Sequence, residues 1–109
     1  MRTAIEKNIL VIAPEGDIDH HSASRIRAEA DRLLLCSGAS SIAFDMSGVS
    51  FMDSSGIGMI IGRYRKIKIL GGRIIIRNAC PSVMRIIGLS GLGNIVTIEK
   101  EVEYEQNEA

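Results

Sequence analysis

The chain has 109 residues, of which 46% are hydrophobic and 4% aromatic, and it contains no tryptophan. This length suffices for one hydrophobic core without disulfide or metal support, and that core must consist mainly of aliphatic side chains. Thirteen basic residues balance thirteen acidic ones, which argues against binding to nucleic acid or to an anionic membrane surface.

The first part of the chain predicts two strands, a polar loop and a helix. An apolar, β-branched run at Ile9–Ala13 predicts a buried strand, preceded by a strand at Thr3–Glu6. The polar residues Asp17–His21 are predicted to form a loop. Ser22 is predicted to cap the following helix, because its hydroxyl can accept a hydrogen bond from a free N–H of the first turn. Apolar residues then recur at helical spacing up to a stop at Gly38.

The second part continues the alternation of strands and helices. Three more strands are predicted, at Ser41–Met46, Arg73–Arg77 and Ile95–Ile98. Two more helices are predicted, one that Asp53 or Ser54 opens and Gly71-Gly72 ends, and one that begins at Pro81 and stops at Gly88. Residues 99–109 are predicted to be an acidic tail that is frayed or forms a short final helix.

This alternation predicts a single domain, over residues 1–109, of the α/β class with right-handed crossover connections. In such sheets the loops that follow the carboxyl ends of parallel strands gather at one edge, which is the usual site of function. The loop Asp17–His21 and the helix start at Asp53-Ser54 both follow predicted strands. We therefore expect them to be neighbours at this edge.

The segment FMDSSGIGMIIGRY, residues 51–64, carries two adjacent serines and three glycines at the start of a helix. Capping explains one hydroxyl, but each glycine inside a helix costs roughly 1 kcal/mol relative to alanine. We interpret Gly62 as a residue needed for internal packing. Gly56 and Gly58, beside the serines, indicate that an external partner approaches closely.

Three other interpretations are less well supported by the residues. A hydrolase would need a G-x-S-x-G elbow, which neither serine has, although His20 or His21 could serve as a base. The same adjacent histidines point apart on a loop, which does not favour a metal site. The basic cluster Arg63–Lys68 is interpreted as a solvated helix face or a docking face for an acidic partner.

The cysteines and the lengths of the apolar runs indicate the cellular compartment of the protein. Cys36 and Cys80 lack a C-x-x-C spacing, so we interpret them as free, buried or half-buried thiols of a reducing environment. The sequence shows no secretory leader and no apolar run of about 18 residues. We expect a cytoplasmic protein.

Three motifs together resemble the anti-sigma factor antagonists of the STAS domain family, and among them the sporulation members of endospore-forming bacteria. The motifs are G-x-x-D-H-H at residues 16–21, F-M-D-S-S-G-x-G at residues 51–58 and G-R-Y at residues 62–64. The resemblance runs from about Ile5 to Ile98. It implies a small mixed β-sheet packed against about four helices.

The resemblance also implies a mechanism in which the protein is a binding module and not an enzyme. The unphosphorylated form would bind an anti-sigma factor that is also a serine kinase, thereby releasing a sporulation sigma factor. The kinase, holding ATP and magnesium, would inactivate the antagonist by phosphorylating Ser54, and a serine phosphatase would reverse this. The residues expected to contact the partner are Asp19, His20, His21, Asp53, Ser55, Gly56, Ile57 and Gly58.

No catalytic residue, metal ligand or cofactor of its own is expected for the chain, and no direct contact with nucleic acid or membrane. Two alternatives stay open. One is a STAS subunit of a different, stress-response assembly that exchanges partners through the same serine. The other is a small serine-dependent hydrolase.

Overall fold

A five-stranded sheet and three α helices account for most of residues 1–99, the part that the computed structural model describes. The strands are Arg2–Glu6 (β1), Ile9–Ala13 (β2), Ser41–Asp45 (β3), Ile74–Arg77 (β4) and Thr97–Glu99 (β5). The helices are His20–Ser37 (α1), Ser54–Ile69 (α2) and Pro81–Ser90 (α3), followed by a 3-10 turn at Leu92–Asn94.

The sheet has the order β1-β2-β3-β4-β5. β1 pairs with β2 in antiparallel fashion, and every later neighbour pair is parallel. The predicted α/β class with a mixed sheet is therefore confirmed. The predicted number of helices, about four, is slightly too high, since the described residues form three α helices. Glu99, which the sequence places at the start of the acidic tail, instead ends β5. The rest of the predicted tail, residues 100–109 with its possible short helix, lies outside the described part.

The core forms where one face of the sheet meets the helices. Two rows of paired strand residues are fully buried on this face, namely Leu10, Ile42 and Ile74, then Ile12, Phe44 and Ile76. The helices cover these rows with buried side chains that include Ile26 of α1, Ile60 of α2 and Val83 of α3. Burying one such side chain contributes about 1.5–3 kcal/mol, so packing against these rows holds the helices in place.

The first helix begins three residues earlier than the sequence predicts. Asp19, and not Ser22, is the N-cap: its carboxylate accepts a hydrogen bond from the Ser22 N–H at 3.0 Å. The Ser22 hydroxyl in turn accepts from the Asp19 N–H at 2.8 Å, which completes a capping box. His20 and His21 consequently belong to the first helical turn and not to a loop.

The end of α3 and the start of β5 also differ from the boundaries predicted from the sequence. α3 continues through Gly88 and ends before Gly91, whose φ of 80° provides the left-handed conformation that ends many helices. A 3-10 turn at Leu92–Asn94 follows, and the N–H groups of Ile95 and Val96, which the sequence assigns to the last strand, donate back to the carbonyl of the buried Leu92 at 3.0 and 3.2 Å. β5 therefore begins at Thr97, two residues later than expected.

Gly72 provides a test of the packing after α2. A Cβ at this position would lie 2.6 Å from the Ser41 hydroxyl oxygen and against the carbonyl group of Ser40. We expect Gly72→Ala to lower the free energy of unfolding by about 1–3 kcal/mol, since the Ser40 backbone cannot yield cheaply. Urea denaturation measures this change.

Gly88 is the matched control, because a Cβ there meets nothing within 4 Å. Gly88→Ala should raise the free energy of unfolding by about 0.5–1 kcal/mol through better helix propensity. Equal effects of the two substitutions would contradict the packing described here.

Candidate functional site

A short backbone pairing joins the two loops that precede α1 and α2. The Ile18 N–H donates to the Phe51 carbonyl at 2.9 Å, and the Ile18 carbonyl accepts from the Asp53 N–H at 3.1 Å. A hydrogen bond of 2.9 Å from the Gly16 N–H to the Gly48 carbonyl lies just before this pairing. The predicted proximity of the two loops is therefore confirmed.

The pairing places two aspartate-capped helix starts side by side. Asp19 caps α1, and the Asp53 carboxylate accepts from the Ser55 N–H at 2.8 Å to cap α2. The hydrogen bond from the Ser22 N–H to Asp19 is the main cause that lowers the pKa of the Asp19 carboxyl below its ordinary value. The α1 cap thus favours the ionised form of Asp19, and this edge of the sheet carries two acidic side chains, Asp19 and Asp53.

Ser54 is the first residue of α2 and is exposed. The sequence leaves the cap open between Asp53 and Ser54, and the structure assigns it to Asp53. Within residues 1–99, no hydrogen bond engages the Ser54 hydroxyl. Among the described residues, the cap of α2 is thus made by Asp53 and not by the Ser54 hydroxyl.

The three residues after Ser54 face increasingly inward. Ser55 is half-buried, whereas Gly56 is buried, and Ile57 is 7% exposed and packs in the core. A Cβ on Gly56 would lie 2.6 Å from the Met52 sulfur and 3.0 Å from a methyl carbon of Ile18. Gly56 thus allows close internal packing, and the interpretation that it clears space for an external partner is wrong.

Gly58 and Gly62 have the opposite surroundings. A Cβ at either position meets nothing within 4 Å, so Gly62 is not needed for internal packing, contrary to the sequence interpretation. Both glycines line an open groove of about 440 Å³ between α1 and α2. We call this the α1–α2 groove; its other lining residues include His20, Ser24, Arg27, Ser55 and Arg63.

Arg63 belongs to the basic cluster that the sequence predicts to be a solvated helix face or a docking face for an acidic partner. It is 5% exposed, and its Nε lies 3.0 Å from the Asp31 carboxylate, so the solvated face is wrong for this residue. The spacing contains the signal that was missed: Arg63 lies between Ile60 and Ile67 on the inward stripe of α2, three and four residues away.

The histidines lie near the serines but form no catalytic arrangement in the described residues. His20 and His21 are both exposed, with their rings 6.3 Å apart at an angle of 63°. Neither hydrogen-bonds to Ser54 or Ser55 in residues 1–99. This part of the chain also shows no group of three or more His, Cys, Asp or Glu residues placed to hold a metal ion.

The cysteines are free thiols, as predicted, but Cys36 is exposed, whereas Cys80 is half-buried. The contact with the Ser82 hydroxyl, at 3.3 Å, is the main cause that lowers the pKa of the Cys80 thiol. None of the helices in residues 1–99 has the length and apolar character that a membrane span requires.

Comparison with known proteins agrees with this geometry. The family model for the STAS domain matches residues 1–104. An anti-sigma F factor antagonist of Lysinibacillus sphaericus is 35% identical over 89 residues, 82% of this chain and 76% of the relative. An anti-sigma-B factor antagonist of Bacillus subtilis is 27% identical over 97 residues, 89% of this chain and 87% of the relative.

Two solved structures extend the likeness to three dimensions. The anti-sigma factor antagonist SpoIIAA in its unphosphorylated form has a TM-score of 0.81 at 30% identity, covering 98% of this chain and 92% of that one. The phosphorylated form of SpoIIAA from Bacillus has a TM-score of 0.73 at 30% identity, covering 98% and 96%. This protein therefore belongs to the STAS domain family and resembles the anti-sigma factor antagonists within it.

Proposed function

We propose that this protein is an anti-sigma factor antagonist that a single phosphorylation switches off. In this proposal the unphosphorylated form binds an anti-sigma factor serine kinase in the cytoplasm and releases the sigma factor. Phosphorylation of Ser54 ends the binding, and a serine phosphatase restores it. The observation that carries the proposal is Ser54 itself: an exposed hydroxyl at a helix start that Asp53 already caps.

The position of Ser54 explains how the switch can act without unfolding the protein. A phosphate at a helix N-terminus is favoured locally, because free N–H groups and the helix dipole attract anions. The same phosphate adds about −1.5 to −2 units of charge at an edge that already carries Asp19 and Asp53. We therefore expect phosphorylation to lower the affinity for the partner and to leave the free energy of unfolding nearly unchanged.

The expected contact residues divide into a surface set and a supporting set. Asp19, His20, His21 and Gly58 are exposed, and Asp53 and Ser55 are half-buried, with Ser55 lining the α1–α2 groove. Gly56 and Ile57 lie beneath, where they set the position of the Ser54 turn. We therefore propose that the partner contacts the first set, and that Gly56 and Ile57 act through packing.

The sporulation sigma factor is our first choice of target because an anti-sigma F factor antagonist is a relative above 30% identity. The likeness to an anti-sigma-B factor antagonist supports a second candidate, a stress-response assembly with the same switch. In either case the chain acts by binding, and the partner kinase supplies ATP and magnesium. Neither nucleic acid nor membrane is a direct partner.

Substitution of Ser54 tests the switch. Ser54→Ala should abolish phosphorylation by the cognate kinase, retain binding, and change the free energy of unfolding by less than about 0.5 kcal/mol. Ser54→Asp should weaken binding by roughly ten-fold or more, since it places a permanent charge at the docking edge. Titration calorimetry with the kinase measures both affinities.

Substitution of Asp53, the N-cap residue next to Ser54, is the control for this test. Asp53→Ala should cost about 1 kcal/mol of stability, as loss of an N-cap does. A Ser54→Ala protein that is destabilised as much as Asp53→Ala would show that Ser54 has a structural role and would argue against the proposal.

Substitutions of two nearby glycines distinguish an effect on core packing from an effect on partner binding. Gly56→Ala should reduce stability by about 1–3 kcal/mol, because its Cβ collides with Met52 and Ile18. Gly58→Ala should raise stability by about 0.5–1 kcal/mol and yet weaken kinase binding, because the added methyl group enters the docking surface. Thermal unfolding and calorimetry distinguish these effects, and unchanged binding by Gly58→Ala would exclude Gly58 from the interface.

A further inference from the structure

The guanidinium of Arg63 is buried without full compensation. Its Nε lies 3.0 Å from the Asp31 Oδ1, close enough for ion pairing but with an orientation that makes no hydrogen bond. Neither Nε nor Nη1 has a hydrogen-bond partner among the described residues. Buried charged donors are nearly always hydrogen-bonded in folded proteins, so this group lacks an acceptor.

A second guanidinium faces the same groove. Arg27 on α1 is exposed, lines the groove, and donates weakly to Ser24 at 3.4 Å. Burial lowers the pKa of Arg63; the Asp31 carboxylate partly offsets this, and the charge of Arg27 lowers the pKa further. Asp31 cannot neutralise the cluster alone, because it also pairs with Lys66 at 3.2 Å. Asp31 thus pairs with two cations, Arg63 and Lys66, and Arg27 forms no ion pair among the described residues. The carboxylates of Asp19 and Asp53 are held by the helix caps.

The groove has room for an incoming group next to these cations. Gly58 and Gly62 line it on α2, and a Cβ on either would meet nothing within 4 Å. The same groove reaches Ser55 and His20, which belong to the docking surface proposed above. A partner seated over Ser54 would thus cover the mouth of the groove.

We propose that the α1–α2 groove receives a carboxylate side chain, Asp or Glu, of the docked partner protein, with Arg27 and Arg63 as its counter-ions. This inference rests on the proposed function and adds the chemistry of the partner. Guanidinium groups pair strongly and directionally with carboxylates, most of all where water is excluded. The added phosphate on Ser54 would repel this carboxylate, which links the groove to the switch.

Two arginines on α1 provide the matched test. Arg27 lines the α1–α2 groove, whereas Arg25 is also exposed on the same helix but lines a different cavity with Glu29 and Pro14. Each substitution to glutamine removes one charge. We expect Arg27→Gln to weaken kinase binding roughly ten-fold, a change of about 1.4 kcal/mol, and Arg25→Gln to change it less than about two-fold. Equal affinities of the two variants would overturn the inference.

A third variant blocks the groove without removing charge. Gly62→Leu projects into the open space and should weaken binding at least as much as Arg27→Gln, with thermal unfolding confirming that it folds. A substitution of Arg63 would not be a clean test, because this residue is buried and its replacement would also change the stability of the fold. Wild-type affinity in a folded Gly62→Leu protein would likewise overturn the inference.

A measurement without the kinase separates this inference from the proposed function. Sodium acetate, as a carboxylate probe, is titrated against sodium chloride at equal ionic strength, while the Nε–H signal of Arg27, the exposed arginine of the groove, is followed by NMR. We expect a saturating shift with acetate alone that disappears in Gly62→Leu. If the wild-type protein does not bind the kinase, the proposed function fails, and the acetate titration alone then tests the carboxylate site. An identical response to acetate and to chloride would overturn that site.

Discussion

The backbone pairing between Ile18 and Met52 is the constraint on which the site depends. It holds the starts of α1 and α2 together through two hydrogen bonds, from Ile18 to Phe51 and from Asp53 to Ile18. Gly56 allows Met52 and Ile18 to pack against its backbone, since a side chain at this position would displace both residues. The parallel pairing of β2 with β3 brings the two loops to one edge, and this bridge then fixes their distance.

This arrangement separates the residues that stabilise the fold from those available for regulation. Asp53 caps α2 and Asp19 caps α1, so neither helix start uses the Ser54 hydroxyl. A phosphate on Ser54 would lie at a helix N-terminus, which favours an anion, and beside the proposed docking surface. In the proposed switch, phosphorylation would therefore change the affinity for the partner while the fold is kept.

Much of the fold could be predicted from the sequence, because local pattern and packing agree there. The apolar run Ile9–Ala13 is a strand with the predicted bounds, and the α2 start at Ser54 follows its cap. The roles of Gly56 and Gly62 were exchanged, since what surrounds a glycine depends on distant residues such as Ile18. Arg63 was misplaced for a different reason: its residue type suggested solvent, although its spacing on α2 pointed to the core.

The most direct test of the account is to incubate the protein with its cognate anti-sigma kinase, ATP and magnesium. The phosphorylated residue is identified by peptide mass spectrometry, and the complex is followed by native mass spectrometry. We expect a single phosphate on Ser54, a circular dichroism spectrum that does not change, and loss of the complex as phosphate accumulates. A phosphate on Ser55 or elsewhere, or a phosphorylated protein that binds the kinase as tightly as before, would contradict it.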